Sequence, residues 1–290
     1  MTMLAETSYP AVPNSTGTQP PRLPVPAGAV DCHHHIFDPR FPKQGKPMRA
    51  IGTVDDYRLL KQRLGITRSV VVAPNSYGTD NACLLDALDR FGDEARGVAI
   101  VAPEISLQDM TALDARGVRG GRFYLEKGTP PSAEALRAYS RQAAGLGWHA
   151  EIMPSRGAAL VAAEAMLSSL DCLVVVDHIG YTPQPEGIAH PAFDVLRRLL
   201  DGGNTWVKLS GLYFTSVAGF PDYGDVDELA SRLVAHRPDR MLWGTDWPHS
   251  GETTKPDDAK LLDQSARWAI NPADRHAMLV DNPAALYWEH

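Results

Sequence analysis

The sequence predicts an α/β protein of the (β/α)8 class, a TIM barrel. Short apolar runs alternate with amphipathic helical stretches, which is the order expected of parallel βα units. Eight such runs can be counted, roughly 20–40 residues apart, as in a barrel built from eight βα repeats. The 290 residues of the chain are enough for one such barrel, which typically needs about 250 residues. One barrel domain is therefore expected over residues 28–290.

Each predicted strand is a run rich in apolar and β-branched residues and bounded by turn residues. In chain order, the strands are predicted at Ala29–His33, Ser69–Pro74, Gly97–Ala102, Gly117–Phe123, His149–Met153, Cys172–His178, Trp206–Ser210 and Arg240–Thr245. Apolar residues at helical spacing predict helices between them. These helices include Val54–Leu64, Leu84–Phe91, Ala133–Leu146, Ala158–Ser168, Pro191–Leu200 and Val226–His236.

A doubly wound open sheet is the competing fold. Such a sheet usually carries a glycine-rich phosphate turn between its first strand and first helix. The segment Gly117-Val-Arg-Gly-Gly-Arg imitates that turn weakly, but it lies inside a predicted strand and opens no helix. Its glycines instead indicate close backbone packing.

Residues 1–27 differ in composition from the rest of the chain. They contain six prolines and lack the basic start and long apolar run of a signal peptide or a membrane span. We expect an extended or disordered N-terminal arm here, with plain disorder as one alternative and an arm wrapping the barrel or a neighbouring subunit as the other.

Charge and cysteine content narrow the functional classes. The formal net charge of -7 argues against nucleic acid and anionic membranes as partners and favours a small soluble substrate. Cys32, Cys83 and Cys172 show no CxxC spacing, which indicates a reducing compartment and hence a cytoplasmic protein. The sequence does not decide the oligomeric state, and a homo-oligomer is compatible with it.

Four residues at the ends of predicted strands carry the chemistry. His33 and His35 follow the first apolar run, His178 follows the sixth, and Asp246 follows the eighth. Because parallel barrel strands end at one rim, these four side chains are expected to meet there. The sequence thus predicts a catalytic site at the carboxyl ends of the strands.

Strand alternation selects a pair from the three consecutive histidines. Alternate side chains of a strand share a face, so His33 and His35 point one way and His34 the other. We interpret His34, His149 and His236 as structural. Three imidazoles and one carboxylate also match the ligand types of a zinc site.

The chain resembles the amidohydrolase superfamily, and within it the branch of 2-pyrone-4,6-dicarboxylate lactonase and D-galactarolactone isomerase. The resemblance runs from about Pro26 to Trp288. Its motifs are Val30-Asp-Cys-His-His-His-Ile-Phe-Asp-Pro, Tyr77-Gly-Thr-Asp-Asn, Gly117-Val-Arg-Gly-Gly-Arg-Phe, Val176-Asp-His-Ile-Gly, Trp243-Gly-Thr-Asp-Trp-Pro-His and Asn282-Pro-Ala-Ala-Leu-Tyr. It implies a distorted TIM barrel that hydrolyses or rearranges a carboxylated lactone.

One departure from the superfamily pattern bears on the cofactor. Many metal-dependent members carry a histidine after the fifth strand, where this chain has Met153, and a thioether is a poor ligand for such ions. The resemblance to the lactonase branch likewise implies catalysis without a required metal. The alternative is one divalent metal, zinc, held by His33, His35, His178 and Asp246.

The residues suggest a mechanism for lactone hydrolysis. Asp246 is expected to act as general base toward water. Without a metal, His33, His35 and His178 would donate N–H bonds to the carbonyl oxygen and its tetrahedral oxyanion. In the related isomerase an asparagine stands at the position of Asp246, so the retained acid favours hydrolysis.

The family resemblance implies several substrate contacts. Arg122 matches a carboxylate-binding arginine of the pyrone lactonase, and a guanidinium suits a carboxylate. Two further arginines of that family fall at Gly128 and Phe214, and a tyrosine falls at Met153. These losses argue against the pyrone dicarboxylate itself and leave the muconolactone, pyrone and sugar-acid lactone types open.

Five further residues are candidate substrate contacts. Arg49 and Lys127 could replace the missing arginines, although each is also a typical surface charge. Asn75 and Tyr213 follow the second and seventh runs and are expected to orient substrate by hydrogen bonds. His249 is expected either to orient the catalytic aspartate or to contact substrate.

The resulting prediction is a lactonase in the catabolism of aromatic or sugar acids. A metal-dependent decarboxylase of the same superfamily and a lactone isomerase are the alternative enzymes. A non-catalytic binding protein is the remaining alternative, and it predicts that Asp246→Asn leaves ligand affinity and all measurable turnover unchanged.

Overall fold

The computed structural model describes residues 9–44, 48, 50–126 and 130–289. Eight parallel strands form one sheet in chain order, from β1 to β8. They are β1 Val30–His34, β2 Arg68–Val72, β3 Ala95–Ile100, β4 Val118–Tyr124, β5 His149–Met153, β6 Leu173–Val176, β7 Thr205–Leu209 and β8 Met241–Trp243. The sheet closes where the amide of Asp246 donates to the carbonyl of His33 at 2.7 Å and that of His35 to Trp247 at 2.8 Å. The predicted TIM barrel is confirmed.

Helices alternate with the strands and cover the barrel. They are α1 Val54–Leu64, α2 Ala82–Phe91, α3 Leu107–Asp114, α4 Ala133–Leu146, α5 Gly157–Leu167, α6 Pro191–Asp201, α7 Asp227–His236, α8 Asp258–Trp268, α9 Pro272–His276 and α10 Asn282–Tyr287. The bounds predicted for α1 and α4 agree with the structure at both ends.

Local sequence explains why α1 begins and ends where it does. Thr53 and Asp56 form a capping box, in which each side chain binds the backbone amide of the other residue. Such a cap contributes about 1 kcal/mol. The helix ends at Gly65, whose φ of 70° is left-handed, a conformation that costs glycine little.

Five strands, β2, β3, β6, β7 and β8, end one or two residues earlier than the sequence predicts. The eighth was predicted to reach Thr245, but β8 stops at Trp243. Thr245 leaves the ladder because its amide and hydroxyl donate to the buried carboxylate of Asp31, at 2.9 and 2.6 Å. The sixth was predicted to reach His178, but β6 stops at Val176, because the backbone turns left-handed at His178.

The glycines of β4 fit close packing. A Cβ atom on Gly120 would lie 2.5 Å from the ring of His149, and one on Gly121 would lie 2.7 Å from the hydroxyl of Tyr139. Both distances are shorter than van der Waals contact, so neither position has room for a side chain. The glycines therefore serve packing on a strand, as expected from the sequence.

The amino-terminal end of the barrel is filled by apolar side chains. Val30, Val70 and Val98 of the strands pack with Leu286 and Tyr287 of α10 in one buried cluster. Full burial of an aliphatic side chain such as Leu286 contributes about 1.5–3 kcal/mol. This cluster closes the barrel opposite to the strand ends at which the polar residues gather.

The N-terminal arm is described from residue 9 onward and lies along the barrel. Val12 is buried, and the amide of Thr16 donates to the carbonyl of Pro256 at 2.9 Å. Among the described helices, none combines the length and hydropathy needed to cross a bilayer.

Candidate active site

The three consecutive histidines at the end of β1, of which His35 directly follows the strand, point alternately to opposite faces. The rings of His33 and His35 lie 4.9 Å apart inside the barrel, near the carboxyl ends of the strands. His34 points outward and stacks on Tyr57 of α1, with ring centroids 3.5 Å apart. The alternation of a β-strand thus sends two imidazoles to one site.

The other two predicted residues meet this pair at Asp246. Asp246 Oδ1 lies 3.4 Å from His33 Nε2, 3.3 Å from His35 Nε2 and 4.0 Å from His178 Nε2. Gly244 makes this approach possible, because a Cβ there would lie 2.8 Å from His33. All four residues predicted from the strand ends are therefore brought together around one carboxylate oxygen.

Asp246 is held on its other side by Tyr213. The hydroxyl of Tyr213 donates to Asp246 Oδ2 and also lies 3.2 Å from His249 Nδ1. Neither Tyr213 nor His249 is among the residues lining the cavity. Tyr213 thus contacts the predicted catalytic carboxylate from behind, with His249 next to it, which leaves Oδ1 for the imidazoles.

The segment that carries His178 has an unusual backbone. His178, Ile179, Gly180 and Tyr181 all have positive φ, between 51° and 63°. A left-handed β-branched residue such as Ile179 is strained, and strain of this kind clusters at functional sites. Here it aims His178 at Asp246 and turns Tyr181 into the same cavity.

A layer of buried charges lies beneath the imidazoles. Lys208 of β7 donates to Glu151 of β5, and its Nζ lies 3.7 Å from Asp177 Oδ1. Arg122 of β4 donates to Asp177 Oδ2 from Nη2 at 2.8 Å and from Nε at 3.2 Å. Isolated buried ions cost several kcal/mol each, so these opposite charges are stable only as a group.

Sequence reasoning did not single out Lys208, Glu151 or Asp177. The signal was present, because a lysine in Thr205–Leu209 and a glutamate in His149–Met153 interrupt otherwise apolar strands. Charged residues are almost never fully buried without partners. Such interruptions indicate a buried ionic group inside the barrel.

The neighbours of two ring nitrogens bear on their proton positions. Lys208 Nζ lies 3.2 Å from His33 Nδ1 and can only donate, whereas Asp177 Oδ1 lies 3.3 Å from the same nitrogen and only accepts when ionised. The two neighbours therefore favour opposite tautomers of His33. His35 Nδ1 lies 2.7 Å from the carbonyl of Val72, which only accepts, so this nitrogen carries a proton. His35 Nε2 faces Asp246 Oδ1 at 3.3 Å.

Burial and charge set the protonation of the site. Burial, reinforced by the charge of Lys208, lowers the pKa of His33 to about 3, and burial also lowers the pKa of His178. Burial alone would raise the pKa of Asp246, but attraction to the imidazoles of His178, His35 and His33 in their protonated forms holds it well below its ordinary value. His33 and His178 are thus neutral at neutral pH, next to an ionised carboxylate.

These groups border a cavity of about 350 Å³ at the carboxyl ends of the strands. It is lined by His35, Phe37, Pro74, Asn75, Ser76, Arg122, Tyr124, Met153, His178, Tyr181, Phe214, Asp246, Ser250 and Gly251. The volume suits a small ring compound. His33 is fully buried below this lining and contacts the cavity residues Asp246, His35 and His178 from beneath.

The predicted substrate contacts are distributed unevenly. Arg122 and Asn75 line the cavity. Nε and Nη2 of Arg122 are engaged by Asp177, and Nη1 has no hydrogen bond to any residue that the structure describes. Arg49 and Lys127 lie outside the described residues. The hydroxyl of Tyr181, which sequence reasoning missed, is buried at the cavity without a described hydrogen-bond partner.

The distances among the polar atoms would allow a metal ion. His33 Nε2, His35 Nε2 and Asp246 Oδ1 are mutually close, and their spacing resembles the roughly 3.3 Å between ligands of tetrahedral zinc with bonds of about 2.0 Å. His33 Nε2 has no described hydrogen-bond partner, but the ammonium of Lys208, 3.2 Å from Nδ1 of the same ring, disfavours a second cation there. Met153 adds only a thioether to the cavity.

A second group of three residues could also surround an ion by distance, namely His33, Asp177 and His178. Asp177 Oδ2 is bound by Arg122 at 2.8 Å, while Asp177 Oδ1 has no described hydrogen-bond partner. Both groups thus offer ligand atoms of the type and spacing that a divalent ion needs, and both share His33.

Comparison with known proteins yields relatives that align over most of this chain. It is 35% identical over 277 residues to a 4-sulfomuconolactone hydrolase of Rhizobium radiobacter, covering 91% of both chains. It is 36% identical over 284 residues to a 2-pyrone-4,6-dicarboxylate hydrolase of Comamonas testosteroni, covering 92% of both. It is 33% identical over 274 residues to a D-galactarolactone isomerase of Agrobacterium fabrum, covering 92% of this chain and 93% of the isomerase.

Structural comparison and a family model agree with these relatives. A ligand-free crystal structure of an Agrobacterium tumefaciens protein superposes with a TM-score of 0.85 at 33% identity, covering 94% of this chain and 98% of that one. The model of the amidohydrolase family, described as "Amidohydrolase", matches residues 30–288. The resemblance inferred from the strand-end motifs is thereby confirmed, and the chain belongs to the amidohydrolase family.

Proposed function

We propose that the protein hydrolyses the ester bond of a small anionic lactone, of the muconolactone, pyrone or sugar-acid type. The observation that carries this proposal is the ionised Asp246, whose Oδ1 lies within 3.3–4.0 Å of three imidazoles at one cavity. Two relatives named as hydrolases of a sulfomuconolactone and a pyrone dicarboxylate support the substrate class.

Water is activated between two acceptors. In the His35 tautomer whose proton on Nδ1 is bound to the carbonyl of Val72, Nε2 is an acceptor 3.3 Å from Asp246 Oδ1, so one water molecule can donate a hydrogen to each. Its oxygen lone pair then faces the lactone carbonyl. A carboxylate of low pKa is a weak base on its own, but here the proton it takes is shared with His35.

The developing oxyanion is stabilised from the opposite side of the carbonyl. His178 Nδ1 lies 3.0 Å from the hydroxyl of Ser210, and donation by that hydroxyl leaves the proton of His178 on Nε2. The Nε2–H then faces the cavity and donates to the oxyanion. A well-aimed donor of this kind is worth about 2.7–4 kcal/mol.

Ring opening returns the proton. The water oxygen forms a bond to the carbonyl carbon, the ring C–O bond breaks, and the proton held between Asp246 and His35 moves to the leaving alkoxide. The new carboxylic acid ionises at neutral pH, so each turnover releases one proton. The resting state of both residues is restored.

Recognition of the anionic group is assigned to Arg122. Its Nη1 is the guanidinium nitrogen left after Asp177 binds the other two. Phe214 and Tyr181 stack with ring centroids 5.1 Å apart and line the same cavity, which provides an apolar wall for the ring. Arg49 and Lys127 remain candidates for a second anionic group.

The proposal includes catalysis without a required metal. It is supported by Lys208, whose ammonium lies 3.2 Å from His33 Nδ1 and disfavours a second cation on that ring, and by Met153, a poor ligand, at the cavity. The alternative cofactor is one zinc ion. Elemental analysis of the purified protein, with activity measured before and after chelation, decides between them.

A lactone isomerase is the second candidate, favoured by the isomerase among the relatives. Migration of the lactone keeps the ring and releases no proton. Hydrolysis opens the ring and releases one. Proton release therefore separates the two reactions.

The test is a panel of muconolactones, pyrone carboxylates and sugar-acid lactones assayed by proton release, with and without chelator. We expect turnover of at least one anionic lactone that persists in chelator. Asp246→Asn should lower kcat by about 10²–10⁴, the usual share of a positioned acid or base, with KM little changed. Unchanged kcat in that variant, or carbon dioxide among the products, would exclude the proposal.

A further inference from the structure

A chain of buried hydrogen bonds runs from the cavity to the N-terminal arm. Behind Asp246, Tyr213 contacts His249 at 3.2 Å, and His249 Nε2 lies 3.1 Å from Asp258 Oδ1. Asp258 Oδ2 in turn accepts from the hydroxyl of Ser15. His249 and Asp258 are fully shielded from solvent, so these bonds are not exchanged for bonds to bulk water.

The arm is fixed where it meets this chain. Arg63 of α1 is almost completely buried and donates to the Ser15 hydroxyl at 2.7 Å and to the carbonyl of Thr16 at 3.1 Å. Asn14 donates to the carbonyl of Ile51 at 2.6 Å. A buried guanidinium anchored to α1 thus holds the arm in one register.

A second contact joins the same stretch of arm to the residue after Asp246. The indole Nε1 of Trp247 donates to the carbonyl of Pro13 at 2.9 Å, and Trp247 is fully buried. Arm residues two positions apart therefore hold both the far end of the hydrogen-bond chain and the backbone neighbour of Asp246. Packing alone does not require this pairing of contacts.

We infer that the arm segment Pro13–Ser15 is a positioning element of the active site, with Ser15 acting through Asp258, His249 and Tyr213 to hold the carboxylate of Asp246. The chain binds Oδ2, so it leaves Oδ1 to face His35 and the substrate. This inference rests on the proposed catalytic role of Asp246. It assigns a function to the arm that no motif of the barrel suggests.

The kinetic test compares Ser15→Ala with Ser15→Thr and with the control Thr18→Ala, an arm residue whose side chain makes no described hydrogen bond. Small displacements of a reacting group cost up to about 10²-fold in rate, and we expect kcat of Ser15→Ala to fall about tenfold with KM unchanged. Ser15→Thr keeps the hydroxyl and should restore most of kcat. A kcat of Ser15→Ala within twofold of that of Thr18→Ala would overturn the inference.

A double-mutant cycle tests the route. Tyr213→Phe breaks the chain next to Asp246, so adding Ser15→Ala to it should lower kcat little further. If the reductions of kcat in the two single variants instead multiply in the double variant, the arm does not act through Tyr213. That result would overturn the proposed route.

A readout independent of activity separates this inference from the proposed function. Amide hydrogen exchange of segment 246–250, followed in the full chain, should quicken in Ser15→Ala relative to Thr18→Ala. Unchanged exchange would refute the arm's role whatever the lactone assay shows. If exchange quickens while the wild-type protein hydrolyses no lactone, the proposed function fails and the arm's role stands.

Discussion

At the end of β1, two neighbouring histidines point to opposite faces of the chain and have different surroundings. His34 and His35 are adjacent and both are buried. His35 lines the cavity with Nε2 3.3 Å from a carboxylate, while neither ring nitrogen of His34 has a described hydrogen-bond partner and its ring stacks on Tyr57. Burial of a histidine is therefore no sign of function, whereas a convergent acid is.

Of the variants that test this comparison, His35→Phe is expected to cause the largest loss of activity. The variant removes one of the two acceptors that we assign to the attacking water, and we expect kcat to fall about 10²–10³-fold. The measurement is steady-state hydrolysis of the best lactone, with near-ultraviolet circular dichroism as a check of folding. A folded variant with kcat within threefold of wild type would remove His35 from the mechanism.

Arg122→Lys should have the next largest effect. Lysine keeps a positive charge for Asp177 but lacks the guanidinium fork, so we expect KM for an anionic lactone to rise about tenfold, equivalent to about 1.4 kcal/mol. KM for a neutral lactone of similar size should stay near the wild-type value. An equal rise of KM for both substrates would mean that the change disturbs the cavity and that Arg122 does not recognise the negative charge of the substrate.

The pH dependence of kcat/KM tests the protonation of the residues around Asp246. The pKa of Asp246 is lowered, so its ionised form persists as the pH falls, and the pKa values of His33 and His178 are lowered too, so both rings stay neutral. We expect kcat/KM to stay within about twofold between pH 7 and pH 5. An acid limb with its midpoint near pH 6.5 would instead indicate that an imidazole of ordinary pKa is the base.

The smallest effect on activity is expected for His34→Phe, which keeps the stacking on Tyr57 and should leave kcat within about twofold. Its effect on stability depends on pH. Burial, with the charges of His35 and Lys61, lowers the pKa of His34 well below its ordinary value. The unfolded chain therefore takes up a proton near pH 6.5 that the folded chain excludes. The free energy of unfolding decreases as the pH falls below that value.

Urea unfolding at pH 7 and pH 5 measures this difference. Wild type should lose up to about 2 kcal/mol more than His34→Phe on going to pH 5. Equal losses in both proteins would show that His34 does not resist protonation in the folded state.

The fold was predictable because its signals are local. Hydrophobic periodicity located all eight strands, and the bounds of α1 followed from the cap at Thr53 and the left-handed Gly65. The ends of β2, β3, β6, β7 and β8 were predicted one or two residues too late, and for β8 the reason is a distant partner. The hydroxyl of Thr245 leaves its strand for a carboxylate on β1, and no local pattern contains that pairing.

The candidate site divides in the same way. His33, His35, His178 and Asp246 were predicted because each follows a strand and parallel strands end at one rim. The position of Tyr213 behind Asp246 depends on loop conformations, which periodicity does not describe. The contact between Ser15 and Asp258 joins residues 243 positions apart, and nothing in either segment marks the other.

The buried cluster that contains Leu286 and Tyr287 and closes the amino-terminal end of the barrel has a kinetic consequence. With that end filled, a lactone arriving and a ring-opened acid departing share the mouth above Arg122. The acid bears one more negative charge than the lactone, so it competes for the same guanidinium. Progress curves should therefore bend early through competitive inhibition by product, and continuous removal of the acid should straighten them.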